Sequence, residues 1–178
     1  MSSTLYVDKI VEKTSAAGVH IPGHVIQVVS VNKTDVFSTS SQTFVDITGL
    51  TLSITPTLAS SKILVDVDYT GGSSGHASIR LVRDSTPIYI GTGATGIQVN
   101  VGMQFASSGT LNASYQLSKG TMKTLDSPST TSAVTYKVQG AVPHHASYIL
   151  YCNRVHHNEN NKFIGYGASS ITLTEIAG

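Results

Sequence analysis

From residue 24 onward, apolar and polar residues alternate with period two, and each alternating run stops at Gly, Pro, Asn or Ser. Alternation of that period puts one side of a strand in a core and the other in water. The stops are turn chemistry. The clearest run is 62–69, where Ile63, Val65, Val67 and Tyr69 share one face while Asp66 and Asp68 take the other. That is the pattern of a half-buried antiparallel strand. The same reading predicts strands over 24–31, 43–47, 50–55, 77–83, 87–90, 97–105, 113–117, 121–125, 133–139, 146–153 and 170–176, and helical periodicity is absent. About a dozen short strands separated by turns predict an all-β, antiparallel two-sheet sandwich. With no Trp and a single Cys, a jelly-roll type is preferred to an immunoglobulin-like one, whose core is built around a Trp and a Cys pair.

Residues 1–23 follow a different rule. Leu5, Val7, Ile10, Val11, Val19 and Ile21 are apolar, but the stretch is interrupted by Ala16-Ala17-Gly18 and Pro22-Gly23 and is too short to enclose a core. A disordered tail seldom carries so many large apolar groups. The sequence therefore predicts two parts: an attachment or interlocking arm over 1–23 and a sandwich domain over 24–178. The six apolar side chains are the candidate attachment and oligomerisation residues. Burying one Leu- or Val-sized side chain contributes about 1.5–3 kcal/mol, so several arms meeting would favour assembly even against the entropy of association. Closed symmetry also covers sheet edges.

Composition narrows the class of partner. Charged residues are 12% of the 178, about half the usual share of roughly 25%. Ser and Thr make up about a quarter of the chain, and the net charge is +1. Such a surface is neutral and rich in hydroxyls. The cations are scattered singly, as at Lys33, Lys62, Arg80, Arg83, Lys119 and Lys137; counterion release from nucleic acid needs them clustered, so no nucleic-acid partner is expected. No apolar run approaches the ~20 residues that span a bilayer, and no membrane insertion is expected. The N-terminus shows no basic region followed by an apolar one, and the single Cys152 forms no intrachain disulfide. Both fit folding in a reducing cytoplasm.

Several residue sets have the look of chemistry. Gly91-Thr92-Gly93-Ala94-Thr95-Gly96 spells G-x-G-x-x-G, but a dinucleotide fingerprint needs a helix next, and Ile97–Val101 alternates as a strand; the segment reads as a hairpin loop. Asp66 and Asp68 lie ~7 Å apart on one strand face. That spacing suits a catalytic carboxylate pair, yet solvated outward charges explain it more simply. Cys152, His156 and Asp126 contain the groups of a triad, although Cys152 reads as a small buried hydrophobe. His144-His145 and His156-His157 flank a strand containing Cys152. Neighbours on a strand point to opposite faces, so the pairs read as solvated loop histidines and no metal or cofactor is expected. The tyrosines at 6, 69, 89, 115, 136, 148, 151 and 166 mostly suit core and interface packing. Some are candidates to line a sugar-binding groove, with the loops at 71–75 and 91–96 as contact points. No enzyme is expected.

The order of short motifs carries a resemblance. The opening Ser3-Thr4-Leu5-Tyr6-Val7-Asp8-Lys9-Ile10, then Gly18-Val19-His20-Ile21-Pro22-Gly23-His24-Val25-Ile26-Gln27-Val28-Val29, resembles that of small virion proteins of marine and cyanobacterial tailed phages. Similar landmarks follow at Ser53-Ile54-Thr55-Pro56, Arg83-Asp84-Ser85-Thr86-Pro87-Ile88, Leu125-Asp126-Ser127-Pro128 and Ser169-Ser170-Ile171-Thr172-Leu173-Thr174-Glu175-Ile176. The resemblance implies a virion structural protein (tail fibre, knob or capsid decoration) with a C1q/tumour-necrosis-factor-like sandwich that forms a homotrimer. It would be made in the host cytoplasm and displayed on the virion surface, with capsid or tail proteins as partners. A host-surface glycan is the alternative partner, making the chain a receptor-recognition module. The resemblance transfers no catalytic residues.

Overall fold

The computed structural model describes residues 21–105 and 115–178. Within them the chain forms eleven strands: β1 (Val25–Lys33), β2 (Phe37–Thr39), β3 (Val45–Ile54), β4 (Lys62–Ser73), β5 (Ala77–Arg83), β6 (Thr86–Ile88), β7 (Met103–Phe105), β8 (Ser118–Asp126), β9 (Val134–Ala141), β10 (Leu150–Cys152) and β11 (Ser169–Ile176). Among the described residues there is no α-helix. All pairings are antiparallel, and they build two sheets that pack face to face as a sandwich.

In the first sheet, β4 is central. It pairs with β8 along one side, from Ile63↔Asp126 to Gly71↔Ser118. On its other side it meets β11 over Lys62–Asp68 and then β10 over Gly71–Ser73. Beyond these lie β1, against β11, and β2, against β10. Thus β10 and β11 form one line interrupted by the excursion 153–168, and β1 and β2 form another. In the second sheet β9 lies between β3 and β5, and the outer edge of β5 is covered by β7 and then β6, again one line interrupted by the excursion 89–102. Counting each interrupted line once leaves eight strands in nested pairs: first with last, second with seventh, third with sixth, fourth with fifth.

The alternation of β4 points Ile63, Val65, Val67 and Tyr69 inward, where they meet Ile47, Leu50, Ile79, Leu81, Val138 and Leu173, all fully buried. Each such side chain contributes about 1.5–3 kcal/mol by leaving water. This is the face assignment the sequence predicts for 62–69.

Several boundaries differ from expectation. The runs 43–47 and 50–55 form a single strand, β3, which bends at Gly49 (φ +88°) where the register skips between Asp46 and Thr51. Among the described residues, only Met103–Phe105 of the predicted 97–105 strand pairs with a neighbouring strand, and Ile97 is fully exposed; alternation alone does not build a ladder. The run 146–153 shortens to Leu150–Cys152 and the run 121–125 lengthens to Ser118–Asp126, while of the strand expected over 113–117, residues 113–114 lie outside the described residues and 115–117 are not strand. The sequence reading misses Phe37–Thr39, too short to show a period. Of the arm, Leu5, Val7, Ile10, Val11 and Val19 lie outside the described residues. Ile21 is described: it is 43% exposed, its carbonyl accepts from His24 N, and Gly23 N donates to Ala177 O.

Candidate functional site

The excursion 89–102 stands on the outer face of the second sheet. Its base is closed by Gly91 N donating to Val101 O at 3.2 Å, and Gly102 N donates to Ile79 O at 3.0 Å. Two side-chain oxygens fix its tip from within: Asn100 Oδ1 accepts from Ala94 N, and Gln98 Oε1 from Thr95 N, both at 3.0 Å. The loop is therefore an Ω-type structure pinned by its own side chains, with the turn at Gly96 in the left-handed region (φ +63°).

Beneath it the sheet contributes Ser78 and Gln104, register partners on β5 and β7. Their strand neighbours Ala77, Ile79, Met103 and Phe105 pack into the core, so Ser78 and Gln104 point outward by alternation. His76, Pro143 and His144 close the other side. Together they bound a groove of about 690 Å³, within the ~300–1,000 Å³ range of small-molecule sites. Among the described residues, no carboxylate, lysine or arginine lines it.

Tyr148 sets the orientation of the imidazoles. Its ring lies over Gly75, where any Cβ would collide with the ring carbons. His144, His145 and His76 surround that ring at centroid distances of 5.9, 5.8 and 6.3 Å, and His76 meets His144 edge-on at 5.8 Å. His145 Nδ1 is engaged by the Ser147 backbone N–H at 3.1 Å, which leaves His76 and His144 facing the groove.

The other sequence candidates are dispersed. Asp66 and Asp68 lie on the outer face of the first sheet, each ion-paired at 2.6 Å, to Lys123 and Lys119. Asp126 and Cys152 pair with β4 positions eight residues apart, about 26 Å at roughly 3.3 Å per residue, so no triad is assembled. The Cys152 thiol is wholly buried, and burial pushes its pKa up. The 91–96 segment is a loop, as expected, but not a hairpin: β6 and β7 run collinearly beside β5 rather than pairing with each other. Residues 71–75 are not an exposed contact loop. Gly71, Gly72 and Gly75 are buried because Tyr69, Tyr151, Val155 and Tyr148 press on them.

His156 and His157 belong to a second aromatic cluster on the excursion 153–168. Tyr115 stacks on His157 at 4.6 Å, and Arg154 lies 4.1 Å over the Tyr151 ring. Burial lowers the pKa of His156, and the adjacent His157 and Arg154 lower it further. Among the described residues, no three His, Cys, Asp or Glu side chains converge on a common point for a metal ion.

Of the eight tyrosines offered as candidates for a sugar groove, Tyr6 lies outside the described residues and none of the others lines this one. Tyr69 and Tyr136 are core residues, and Tyr148 supports the site from behind. Gln98, Asn100, Gln104 and Ser78, which do line it, carried no sequence signal beyond their proximity to the glycine-rich segment. Compared with known proteins, the chain matches no family model and no curated protein sequence.

Proposed function

We propose that the chain is a structural protein of the tailed-phage virion surface: a jelly-roll sandwich that assembles as a homotrimer and forms a short fibre, knob or capsid decoration. The nested eight-strand order supports the jelly roll, since folding a long hairpin over itself produces its two Greek keys. The virion assignment rests on the sequence resemblance and on the neutral, hydroxyl-rich surface.

The observation that carries assembly is on the outer face of the first sheet. Val28, Thr174, Leu64 and Leu125 form one row across four strands in register, with Val28 57% and Leu125 50% exposed. Ile176 extends the patch. Beside it the rows turn polar, with Ser30, Thr172, Asp66 and Lys123 in line. An apolar band with a polar rim has the anatomy of a protein interface.

Sedimentation of the full chain at micromolar concentration tests this reading. The expected species has three times the 18.7 kDa chain mass, and Leu64→Asp with Leu125→Asp shifts it to monomer without unfolding. A monomeric native chain overturns the trimer. Absence of the chain from purified particles, tested with an antibody against it, overturns the virion role.

A further inference from the structure

We propose that the groove between the excursion 89–102, Ser78–Gln104 and His144 is a carbohydrate site that takes a neutral, polyhydroxylated saccharide.

The chemistry of the lining sets the ligand class. Asn100 Oδ1 and Gln98 Oε1 are held by Ala94 N and Thr95 N, so what these two carboxamides offer a ligand is their NH₂ donors. Gln104 offers both a donor and an acceptor above a floor formed by Ser78, which is 1% exposed. The imidazole nitrogens of His76 and His144 add further hydrogen-bonding groups. An apolar guest would strip these groups of water and leave them unpaired, which is costly for each of them. Among the described residues the lining holds no carboxylate to meet a cationic guest and no lysine or arginine to meet an anionic one, and an unpaired charge is penalised on leaving water. A saccharide ring presents the complement: hydroxyls that both donate and accept, alternating with C–H faces. Those faces have their own partners in the Val99 and Val101 side chains and the edge-on imidazole pair.

The site is also pre-organised. The Ω-type loop is fixed from inside by its own carboxamides, and the imidazoles are braced by Tyr148 on Gly75. Little ordering entropy then remains to be lost on binding. The groove lies on the second sheet, opposite the apolar row assigned to assembly, so the inference stands whether or not the chain is trimeric or virion-borne.

Titration of the full chain with neutral oligosaccharides ending in glucose, galactose, mannose or N-acetylglucosamine, followed by amide chemical shifts, tests the site. Sialylated and sulfated counterparts form the second arm. The expected result is saturable shifts confined to residues 76–78, 91–101, Gln104 and His144 with at least one neutral sugar. Asn100→Asp and Gln98→Glu keep the loop-pinning oxygens and replace the NH₂ donors by anionic acceptor oxygens. They should weaken that binding at least about tenfold while the spectrum stays folded. No saturable shift with any sugar, shifts elsewhere on the surface, a preference for the anionic series, or binding unaltered in folded Asn100→Asp/Gln98→Glu protein would each overturn the proposal.

Discussion

The hydroxyl of Tyr136, at the centre of the second sheet, donates a 2.7 Å hydrogen bond to Asp126 Oδ2 on the edge strand of the first. Arg83 Nη1 reaches both oxygens of the same carboxylate, at 2.8 and 2.9 Å. The two layers are therefore joined at this end by a charge-assisted clasp as well as by the core. Burial, and the bond to Asp126, push the Tyr136 hydroxyl far above its ordinary pKa, so it remains a donor at any working pH. Tyr136→Phe should cost about 1.5–3 kcal/mol, the range for a hydrogen bond to a charged group. Asp126→Ala should cost more, because it also strands Arg83. Urea midpoints at constant slope measure both. Equal stability of Tyr136→Phe and native protein would dismiss the clasp.

Glu175 gives the protein a pH dependence at its acid edge. Burial pushes this carboxyl up, but bonds from Gln27 Nε2 and Thr57 N, both 2.6 Å, outweigh it and hold the pKa below the usual range. A depressed folded-state pKa stabilises the protein above the unfolded value, roughly 4.3. That stability is lost as pH falls through the folded value. Glu175→Gln should be less stable at neutral pH by about 1.5–3 kcal/mol, and the gap to native protein should close on acidification. A gap that stays constant from neutral to strongly acid pH refutes the linkage.

Asn153 holds both broken lines of the first sheet together. In the left-handed region (φ +65°), it donates from Nδ2 to the carbonyls of Lys33 and Asp35 at 2.8 and 2.9 Å and accepts from Ser169 Oγ at 2.7 Å. Asn153→Ala leaves these buried groups unpaired and should cost about 3 kcal/mol or more. Asn153→Gly loses the same bonds but fits the backbone, so it should be milder by about 1 kcal/mol. Denaturant titration of the pair separates backbone strain from lost bonding.

Gly75→Ala has two expected readouts. Its methyl group would displace the Tyr148 ring, costing about 1–3 kcal/mol as overpacking. Because Tyr148 braces His76 and His144, their imidazole resonances should move as well. An unmoved His144 signal in a destabilised variant would detach the glycine from the groove.

Cys152 should behave as a core residue. With its thiol buried and its pKa raised by burial, iodoacetamide at mildly alkaline pH should label native protein at least about a hundredfold slower than unfolded protein. Rapid labelling of the native state would show that the line of β10 opens.

The sequence alone determined the strand class and the inward face of its best runs. Period-two alternation is a local property, and burial on one side of a pleat enforces it, as at Ile63, Val65, Val67 and Tyr69. Glycine and proline marked most of the turns for the same local reason. Only the tertiary structure decided where alternation becomes a strand. Residues 97–101 alternate as cleanly as 62–69, yet among the described residues no neighbouring strand completes their hydrogen bonds. Nor did local pattern bring Ser78, Gln104, Asn100 and His144 to one groove, since they come from three separate segments whose meeting depends on long-range pairing of β5 with β7 and β9. The two interrupted lines of the first sheet were likewise hidden, because the residue that closes them, Asn153, acts through carbonyls more than a hundred positions away. Sequence periodicity records which side of a strand is dry. Which strands become neighbours, and what their loops enclose, is settled by packing energies between distant segments.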